Sequence, residues 1–596
     1  MKDKLKHNNS LNLKLKIYLS LAVLLMFICT TAPNFAASMS QVDVGIIYGQ
    51  NNQYPIGVTS EDGFILTFEA ANIGTQSIDF SAYKNLLIYK DGYYEPSGRT
   101  LITSNEGYYA NGQVKGGYHL QIGDSFQTYD EAISLLAVFQ GVINDVYLVY
   151  DDSWRIFQGV YLDENSALSQ IAALTPFISG NTISLVQPTP TRVIIATKEK
   201  ILFSYDSSEQ NFLFHTSVFD LNGIKYRNSF YVTRLPGSDF TFVNRVTMKE
   251  YLYGVLPKEA SSSWPIEALK AQAIASKNFA LTIGSKYAAY GFDVDTTVNS
   301  QVYGGYSVES EICNKAVDET NGYALAVDGV VVPLYFHANS GGITDNSENV
   351  WSSALPYLKS TLDLYSLGAP NTDWNVTLNK FDIESKLISA GYSLGSLKTI
   401  NILERADSGR VLKLEFIGTL SKATLAKDKI RAVLGSTVIK SNLFSFDKAT
   451  AITDVTMLKN PVQTTTQGNT GPSKEIGGDM PKLLIDNGSI YGQFLDNTQI
   501  EVYQAGSKSA IKVDKDALLK ANDIYSAITT VTKPYLYNST ESFDISSGNV
   551  IFYGHGYGHG LGMSQWGAKA MADLGKSYEE ILKFYYKNTE LIQLDE

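Results

Sequence analysis

The sequence predicts a multidomain α+β protein with a β-rich N-terminal region, a small βαββαβ module and a large mixed α+β domain. The chain has 596 residues, more than one hydrophobic core usually organises. Its hydrophobic content of 44% and charged content of 18% are typical of globular proteins. Strand-like runs and helix-like runs both recur along the chain, which favours a mixed architecture over an all-helical or all-strand one.

Residues 1–37 have the layout of a processing segment. Five lysines precede the apolar run Ile17 to Cys29, and small residues follow at Ala36-Ala37-Ser38. Basic, apolar and small residues in this order predict a secretory signal peptide, with an uncleaved membrane anchor as the alternative. In either case we expect the bulk of the chain to be exported.

The composition excludes several classes of site. Residues 1–37 carry a net charge of +4 within a total of −12, so the rest of the chain carries −16. So acidic a chain is a poor candidate for binding nucleic acid through phosphates. The two cysteines, Cys29 and Cys313, cannot form a structural zinc site, and the sequence predicts no metal or cofactor.

Residues 38–112 predict a β-rich N-terminal region. Short β-like runs such as Gly63 to Phe68 and Asn85 to Lys90 are broken by glycine and asparagine. No chemistry is visible in this region.

Residues 113–180 contain a weak internal repeat of strand and helix. Its strand-like and helix-like runs are Tyr118 to Phe126, Asp130 to Phe139, Val146 to Tyr150, Trp154 to Tyr161 and Glu164 to Ala173. Such a repeat predicts a βαββαβ module, a small sheet covered on one face by two helices. The strand-like runs Gln121 to Phe126 and Trp154 to Gly159 resemble the SPOR domain family, whose members bind peptidoglycan glycan strands stripped of their stem peptides. A generic module of the same topology is the alternative.

Residues 192–596 are predicted to form the large domain, after a linker at Pro188-Thr-Pro-Thr. A polar run that begins at Thr464 predicts an exposed loop. The β-like runs that follow, with a short helix near Lys515 to Ala521, predict an insertion around 460–550 within the same domain.

The segment Val246 to Ala280 predicts two helices joined by a loop rich in proline and serine. Ser263 is expected to cap the second helix, with Glu267 in its first turn. Glu259 lies in the loop, near tyrosines and Trp264. A carboxyl group in such surroundings is partly desolvated, which raises its pKa and suits it to proton transfer. A solvated surface glutamate is the alternative from the residues alone.

Two further segments place polar residues beside glycines. One is Thr296-Thr-Val-Asn-Ser-Gln-Val-Tyr-Gly-Gly, and the other is Pro333-Leu-Tyr-Phe-His-Ala-Asn-Ser-Gly-Gly-Ile-Thr. A strand that ends in His337 before a glycine-rich turn can present polar groups to a ligand. A histidine satisfied within the core is the alternative.

The most specific segment reads Tyr553-Gly-His-Gly-Tyr-Gly-His-Gly-Leu-Gly-Met-Ser-Gln-Trp-Gly-Ala. His555 and His559 have the spacing of a helical metal pair, but the glycines oppose a helix and no glutamate follows the first histidine. The lysine and hydroxyl that end a P-loop are also absent. The glycines instead permit close approach of the backbone to a ligand.

These segments, in this order, resemble the stage II sporulation protein D family, which also contains the amidase enhancer LytB. The first family pattern is matched from Glu250 to Ala273, and every fixed position of G-H-G-x-G-H-G-x-G-M-S-Q-x-G-A is present. Two departures occur. Ala260-Ser261 replaces Met-Pro, and Lys277 stands where the family has arginine, which would offer a planar fork to a ligand.

The resemblance implies a lytic transglycosylase that cleaves MurNAc–GlcNAc bonds of peptide-stripped peptidoglycan and leaves 1,6-anhydroMurNAc ends. Glu259 aligns with the family's catalytic glutamate. The residues expected around the sugar are Lys277, Gln301, Tyr303, His337, Ser340, Gly341, His555, His559, Ser564 and Gln565. The expected location is extracellular or in the cell wall.

Two other functions stay open at this point. A non-catalytic amidase enhancer or peptidoglycan-binding scaffold of the LytB type is favoured by the departures after Glu259. Its partner would be an N-acetylmuramoyl-L-alanine amidase or another wall hydrolase. An ordinary hydrolase that uses water is the third reading, and it would leave reducing MurNAc ends.

Overall fold

The computed structural model describes residues 41–49, 55–70, 73–91, 117–161, 163–208, 212–235, 238–351, 353–447, 539–546 and 548–594, with five strands between 448 and 538. The predicted signal or anchor segment and the predicted helix Lys515 to Ala521 lie outside these residues. Within them, every helix is too short or too polar to cross a membrane. Several sheets and helices of different sizes confirm the predicted multidomain α+β class.

A mixed sheet of 15 strands dominates the N-terminal half of the chain. In chain order its strands are β1 (Gln41–Ile47), β2 (Ile56–Thr59), β3 (Phe64–Ala70), β4 (Gly74–Phe80), β5 (Asn85–Lys90), β6 (Tyr118–Ile122), β7 (Val146–Tyr150), β8 (Trp154–Tyr161), β9 (Ile183–Val186), β10 (Arg192–Ala196), β11 (Ile201–Asp206), β12 (Leu213–Leu221), β13 (Ile224–Leu235), β14 (Ser238–Thr247) and β15 (Val294–Asp295).

The spatial order of this sheet is β15-β1-β14-β13-β12-β2-β5-β10-β11-β7-β8-β6-β9, and β3 joins β12 to β4. In β2 and β3, buried residues recur at every second position, as expected for strands with one face on a core. Because β1 and β2 pair with β14 and β12, the strands before residue 91 and those after residue 192 build one common sheet.

The segment with the internal repeat contains β6 to β9 and two helices, α1 (Tyr129–Gln140) and α2 (Glu164–Leu174). The chain order β6-α1-β7-β8-α2-β9 is βαββαβ. Thr128 and Glu131 form a capping box that fixes the start of α1. β7 pairs in parallel with β11, so the segment continues the large sheet. The resemblance to the SPOR family stays a prediction.

The stretch after β9, where the sequence predicts a linker, is held by a buried charged cluster. The Thr189 N–H and the Arg192 guanidinium donate to Asp91 at 3.1 and 2.7 Å. The ring of His119 lies between Asp91 and Tyr147 and hydrogen-bonds to both. Asp91 and His119 are buried, so this cluster fastens the βαββαβ segment to the rest of the sheet from inside.

Eight helices follow in the C-terminal part that the structure describes. They are α3 (Met248–Glu259), α4 (Ile266–Thr282), α5 (Glu311–Glu319), α6 (Ser347–Val350), α7 (Lys380–Ser389), α8 (Lys429–Leu434), α9 (Gln565–Asp573) and α10 (Tyr578–Tyr585). Helix α4 is central, because 11 of its 17 residues are buried. Its many alanines leave room for α3, α5, α9 and α10 to pack close to its backbone.

The remaining strands form small sheets. They are β16 (Tyr323–Val327), β17 (Val330–Val331), β18 (Phe336–His337), β19 (Asp373–Asn379), β20 (Leu397–Arg405), β21 (Val411–Gly418), β22 (Lys422–Ala426), β23 (Phe444–Ser445), β24 (Val455–Met457), β25 (Leu483–Ile485), β26 (Ile490–Phe494), β27 (Gln499–Gln504), β28 (Ala510–Asp514), β29 (Glu541–Asp544), β30 (Asn549–His555), β31 (Met563–Ser564) and β32 (Glu590–Gln593).

Three of these sheets position the site. β19, β30 and β23 form one, in that order, and β22, β21, β20 and β29 form another. Both come from residues 373–447 and 541–555 and share one hydrophobic core. The pair β18 and β31 joins the strand of His337 to the end of the histidine- and glycine-rich segment. β24 to β28 pair in chain order as an antiparallel sheet, within and just before the predicted insertion.

The buried cluster predicts that Arg192 on β10 and Arg155 on β8 contribute very differently to stability. Arg192→Leu leaves the Asp91 carboxylate buried without its guanidinium, so we expect a loss of about 3–5 kcal/mol in local stability. Arg155→Leu breaks half-exposed ion pairs with Asp151 and Asp152 and should cost about 0–1 kcal/mol. Hydrogen exchange of the β6–β11 amides measures both losses, and equal losses would contradict this account.

Candidate active site

Glu259 is the last residue of α3, and the prediction that it lies in the following loop is wrong by one position. A capping box of Thr247 and Glu250 starts the helix, and Ala260 leaves it with extended backbone angles. Ser263 does not cap α4, because Pro265 occupies the position before its first turn. Glu259 therefore lies at the negative end of the α3 dipole, a position that disfavours a negative charge.

The Glu259 carboxyl group is half-buried. Burial raises its pKa, while hydrogen bonds from the Val302 N–H and the Gln565 amide offset part of that increase. In the described part of the chain, no second carboxylate is among the groups that shift this pKa. Glu259 is thus a single carboxyl group that keeps its proton to higher pH than an ordinary glutamate.

Gln565 connects the histidine- and glycine-rich segment to Glu259. Its Nε2 donates to the Glu259 carbonyl oxygen at 3.0 Å and lies 3.4 Å from Oε1 of Gln272 on α4. Ser564 is the N-cap of α9, where its hydroxyl accepts the Gly567 N–H at 3.2 Å. That cap sets Gln565 at the first residue of α9, directed at the end of α3.

A layer of aromatic and amide side chains lies behind Glu259. Tyr251 on α3 donates to Gln301 at 3.3 Å and stacks on Tyr303 with ring centroids 5.5 Å apart. Tyr303 in turn donates to Asn244 at 2.9 Å. Gly254 makes this packing possible, because a Cβ there would lie 2.4 Å from the Tyr303 ring. Gln301 and Tyr303 thus support the end of α3 from the interior.

Lys277 lies away from this surface. Its side chain is 2% exposed, and its Nζ donates to the Thr320 carbonyl oxygen at 2.7 Å. Its neighbour Asn278 also turns inward and bonds to the backbone of Leu325. The lysine that departs from the family's arginine therefore joins α4 to the end of α5, and the structure does not bring it to Glu259.

The three histidines of the site are arranged around the glycine-rich turn. The Nδ1–H of His337 donates to the Leu561 carbonyl at 3.1 Å, and the Nδ1–H of His555 donates to Asp373 at 2.6 Å. His559 lies 5.6 Å from the His337 ring and accepts the Leu561 N–H through Nδ1. Burial, with nearby arginines, lowers the pKa of His559 to about 4 and holds that of His337 well below its usual range.

Ser340, Gly341 and Ser564 are buried, and their bonds stay inside the protein. The Ser340 hydroxyl donates to Asp363 at 2.7 Å, and its N–H points to the Ser564 hydroxyl at 3.3 Å. Burial raises the pKa of Asp363 to about 6, against hydrogen bonds from Ser340, Tyr585 and Ser564 that lower it. These residues join the turn after β18 to the start of α9.

Arg410 lies in the turn between β20 and β21, and its side chain contacts the turn that follows β18. Its guanidinium donates to the carbonyl oxygens of Ser340 and Ile343, both at 2.7 Å. Gly560 has φ +79° and passes so close that a Cβ would lie 2.4 Å from Arg410 Nε. The buried carboxylate of Asp345 interacts electrostatically with this arginine.

The rest of the β19–β23 region also holds the glycine-rich turn through its backbone. His555 N–H donates to the Leu443 carbonyl at 2.8 Å, and Gly558 N–H donates to the Lys440 carbonyl at 2.9 Å. The Ser441 hydroxyl donates to the His555 carbonyl. Residues 371–447 are therefore part of the site's scaffold.

The structure thus divides the predicted site residues into two groups. Glu259, Gln565 and His559 meet a surface and keep partial exposure. The others are buried and make the contacts given above: Lys277, Gln301, Tyr303, His337, Ser340, Gly341, His555 and Ser564. Sequence reasoning missed Asp363, Asp373, Arg410 and Trp566. Only Trp566 had a signal, its place inside the most specific motif.

No group of three or more His, Cys, Asp or Glu side chains is placed to hold a metal ion within the residues the structure describes. Cys313 is buried in α5 as a free thiol, and burial raises its pKa.

Comparisons with known proteins point to one family. Residues 237–326 match a family model described as Stage II sporulation protein, and residues 371–461 match a model described as a domain of unknown function. The chain is similar to the amidase enhancer of Bacillus subtilis (strain 168), with 31% identity over 345 residues. It is 24% identical over 368 residues to the Stage II sporulation protein D of the same organism. An uncharacterized protein of Brachyspira hyodysenteriae is 29% identical over 377 residues.

These matches differ in the share of each relative that they cover. The aligned region is 57% of this chain but 40% of the amidase enhancer, so the chain spans less than half of that relative's length. It is 59% of this chain and 76% of the sporulation protein D. For the Brachyspira protein the shares are 63% and 74%.

The position of Arg410 predicts a change in the titration of His559. Because the arginine's positive charge disfavours a second charge nearby, Arg410→Gln should raise the His559 pKa above about 4. The melting temperature shows whether the two turns keep their packing in the variant. With the packing kept, burial holds the His559 pKa below that of a free imidazole. NMR titration with labelled histidine measures the pKa. Arg405→Gln is the matched control, because Arg405 binds Gly409, Phe444 and Glu541 instead. Equal titrations in both variants would contradict this role.

Proposed function

We propose that this chain, whose residues 237–326 match the stage II sporulation protein family, is a peptidoglycan lytic transglycosylase. It cleaves the MurNAc–GlcNAc bonds of peptide-stripped glycan strands and leaves 1,6-anhydroMurNAc ends. The observation that carries the proposal is the single half-buried Glu259 at the end of α3, whose pKa burial raises.

Glu259 acts twice in this reaction. Its protonated carboxyl group gives its proton to the glycosidic oxygen, and the bond from that oxygen to C1 of MurNAc breaks. The resulting carboxylate then takes the proton of the C6 hydroxyl, and O6 closes on C1. Bonds and protons balance without water, and the carboxyl group returns to its starting state.

One carboxyl group is sufficient because the nucleophile belongs to the substrate. A retaining glycosidase needs a second carboxylate about 5 Å from the first. The described surroundings of Glu259 supply Val302 and Gln565 in place of such a partner. The raised pKa serves the first step, because an acid must still hold its proton at the working pH.

The remaining site residues serve this reaction in two ways. We place His559 and Gln565 beside the sugar, since both keep partial exposure. Gln301 and Tyr303 support the end of α3. The turn after β18 and the glycine-rich turn are held in position by His337, Ser340, Gly341, His555 and Ser564. The βαββαβ segment would bind the same peptide-stripped strands, and export of the chain would bring both parts to the cell wall.

A second candidate function is supported by the name of one relative. An amidase enhancer aligns with 57% of this chain. In that case the chain would bind peptidoglycan and stimulate an N-acetylmuramoyl-L-alanine amidase or another wall hydrolase without cleaving glycan itself. The same site would then serve glycan binding alone.

One substitution separates these functions. Glu259→Gln removes the transferable proton, so we expect it to slow release of anhydro products from peptide-free strands by at least about 100-fold. Glu311→Gln, which changes an exposed glutamate on α5, should keep the wild-type rate. Mass spectrometry identifies the products.

The outcomes are distinct for each function. Anhydro products from the wild type and Glu311→Gln alone support the proposal. Reducing MurNAc ends would instead show a hydrolase. Binding without any product, with equal stimulation of an added amidase by wild type and Glu259→Gln, would replace the proposal by the enhancer function.

The hydrogen bond from Gln565 predicts the direction of a pH effect. The hydrogen bond from the Gln565 amide to the Glu259 carboxyl group favours the ionised form of that group. Gln565→Ala should therefore raise the pKa of Glu259 further. The acid is active when protonated, and the alkaline limb of kcat/KM should therefore move to higher pH. The melting temperature serves as the control for folding. A limb that moves to lower pH would contradict this role of Gln565.

A further inference from the structure

Two tryptophans lie together beside Glu259. The rings of Trp264 and Trp566 have centroids 5.1 Å apart and an angle of 55° between their planes. Both are half-buried, whereas Trp154 and Trp374 are 0% and 7% exposed within hydrophobic cores. The pair therefore keeps part of its indole surface in contact with solvent.

Both tryptophans are fixed by backbone contacts near Glu259. The Trp264 N–H donates to the Ser261 carbonyl at 3.0 Å, in the short turn that follows α3. The Trp566 N–H donates to the Ala338 carbonyl at 3.1 Å, one residue after β18. Trp566 also follows Gln565, whose amide holds the Glu259 carbonyl. The pair is thus attached to both segments that meet at Glu259.

The motif itself does not require a tryptophan at position 566. It occupies the variable position of the pattern G-M-S-Q-x-G-A, so the fixed positions do not require an aromatic residue there. Helix α9 begins at Gln565, and the cap at Ser564 sets the direction of both Gln565 and Trp566. The same cap thereby directs an amide at Glu259 and an indole at Trp264.

An exposed aromatic pair beside polar groups suits one class of ligand. A pyranose ring presents a face of C–H groups that packs on an indole, while its hydroxyls remain at the edge for hydrogen bonds. Indoles combine a large apolar face with a polar N–H, which suits a ligand that is apolar on one side and wet on the other. Half-exposed Gln565 and Glu259 supply the polar partners.

We propose that Trp264 and Trp566 form an aromatic subsite on which one N-acetylhexosamine ring of the glycan strand stacks. The stacked ring fixes the register of the strand, and so determines which glycosidic oxygen reaches Glu259. The identity of the ligand rests on the proposed function. The subsite itself requires binding only, and therefore can be tested without turnover.

The test uses the full chain with Glu259→Gln, which binds but does not cleave. A peptide-free GlcNAc–MurNAc tetrasaccharide is titrated while tryptophan fluorescence and its quenching by acrylamide are recorded, and calorimetry gives Kd. The tetrasaccharide should protect tryptophan from quenching. Trp351, which is half-buried against the rings of Tyr335 and His559, is replaced by phenylalanine in every protein compared. In that background the double substitution Trp264→Phe and Trp566→Phe should abolish the protection, because the two tryptophans that remain, Trp154 and Trp374, are buried.

Affinity gives a second readout. Trp566→Ala should weaken tetrasaccharide binding about 10-fold, whereas Trp566→Phe, which keeps an aromatic face, should recover most of it. Phe381→Ala is the matched control, because it removes an aromatic ring that is 76% exposed on α7. It should leave both protection and Kd unchanged.

Each result is decisive. Full protection in the double phenylalanine variant, or an unchanged Kd in Trp566→Ala, would overturn the subsite and leave the proposed function intact. Absence of any tetrasaccharide binding by the Glu259→Gln protein would overturn both. Glycan cleavage without anhydro ends would overturn the proposed reaction alone. In that case, loss of protection from acrylamide in the double phenylalanine variant would still support the subsite.

Discussion

The candidate site depends on one buried arginine. Arg410 donates two hydrogen bonds to backbone carbonyls of the turn after β18, and the glycine-rich turn closes over it at Gly560. A buried guanidinium without partners is costly, so this side chain stabilises the site only while both turns stay in place. The carboxylate of Asp345 balances part of its charge. The β19–β23 region, which matches a domain of unknown function, thereby becomes part of the site.

This constraint explains why few of the polar motif residues are exposed. Ser340, Gly341 and Ser564 are buried and bond to other parts of the protein. The motif glycines with positive φ, such as Gly556 and Gly560, let backbone segments pass at distances that a Cβ would forbid. Most of the polar side chains of the signature therefore pack inside the protein, while His559, Gln565 and Trp566 keep partial exposure.

The sequence was informative where the physics is local. The strand-like runs and the βαββαβ order follow from neighbouring residues, and the partial burial of Glu259 follows from the aromatic residues near it. The helix cap expected at Ser263 was wrong, because the helix begins after Pro265. The roles of Arg410 and Asp363 depend on segments far apart in the chain, and no local pattern marks them. Lys277 shows the same limit, since its place in a motif does not reveal that its ammonium turns inward to Thr320.

The continuous sheet has a mechanical consequence. The βαββαβ segment is joined to the rest of the sheet by the parallel pair β7 and β11, next to the buried Asp91–Arg192 pair. It is therefore a continuous part of the sheet and not a separate domain on a flexible linker. A pull on this segment along its strands would load peptide hydrogen bonds in shear, the direction in which many bonds resist together. A load on β7 would therefore pass through β11 into the rest of the sheet, which extends to the edge strand β15.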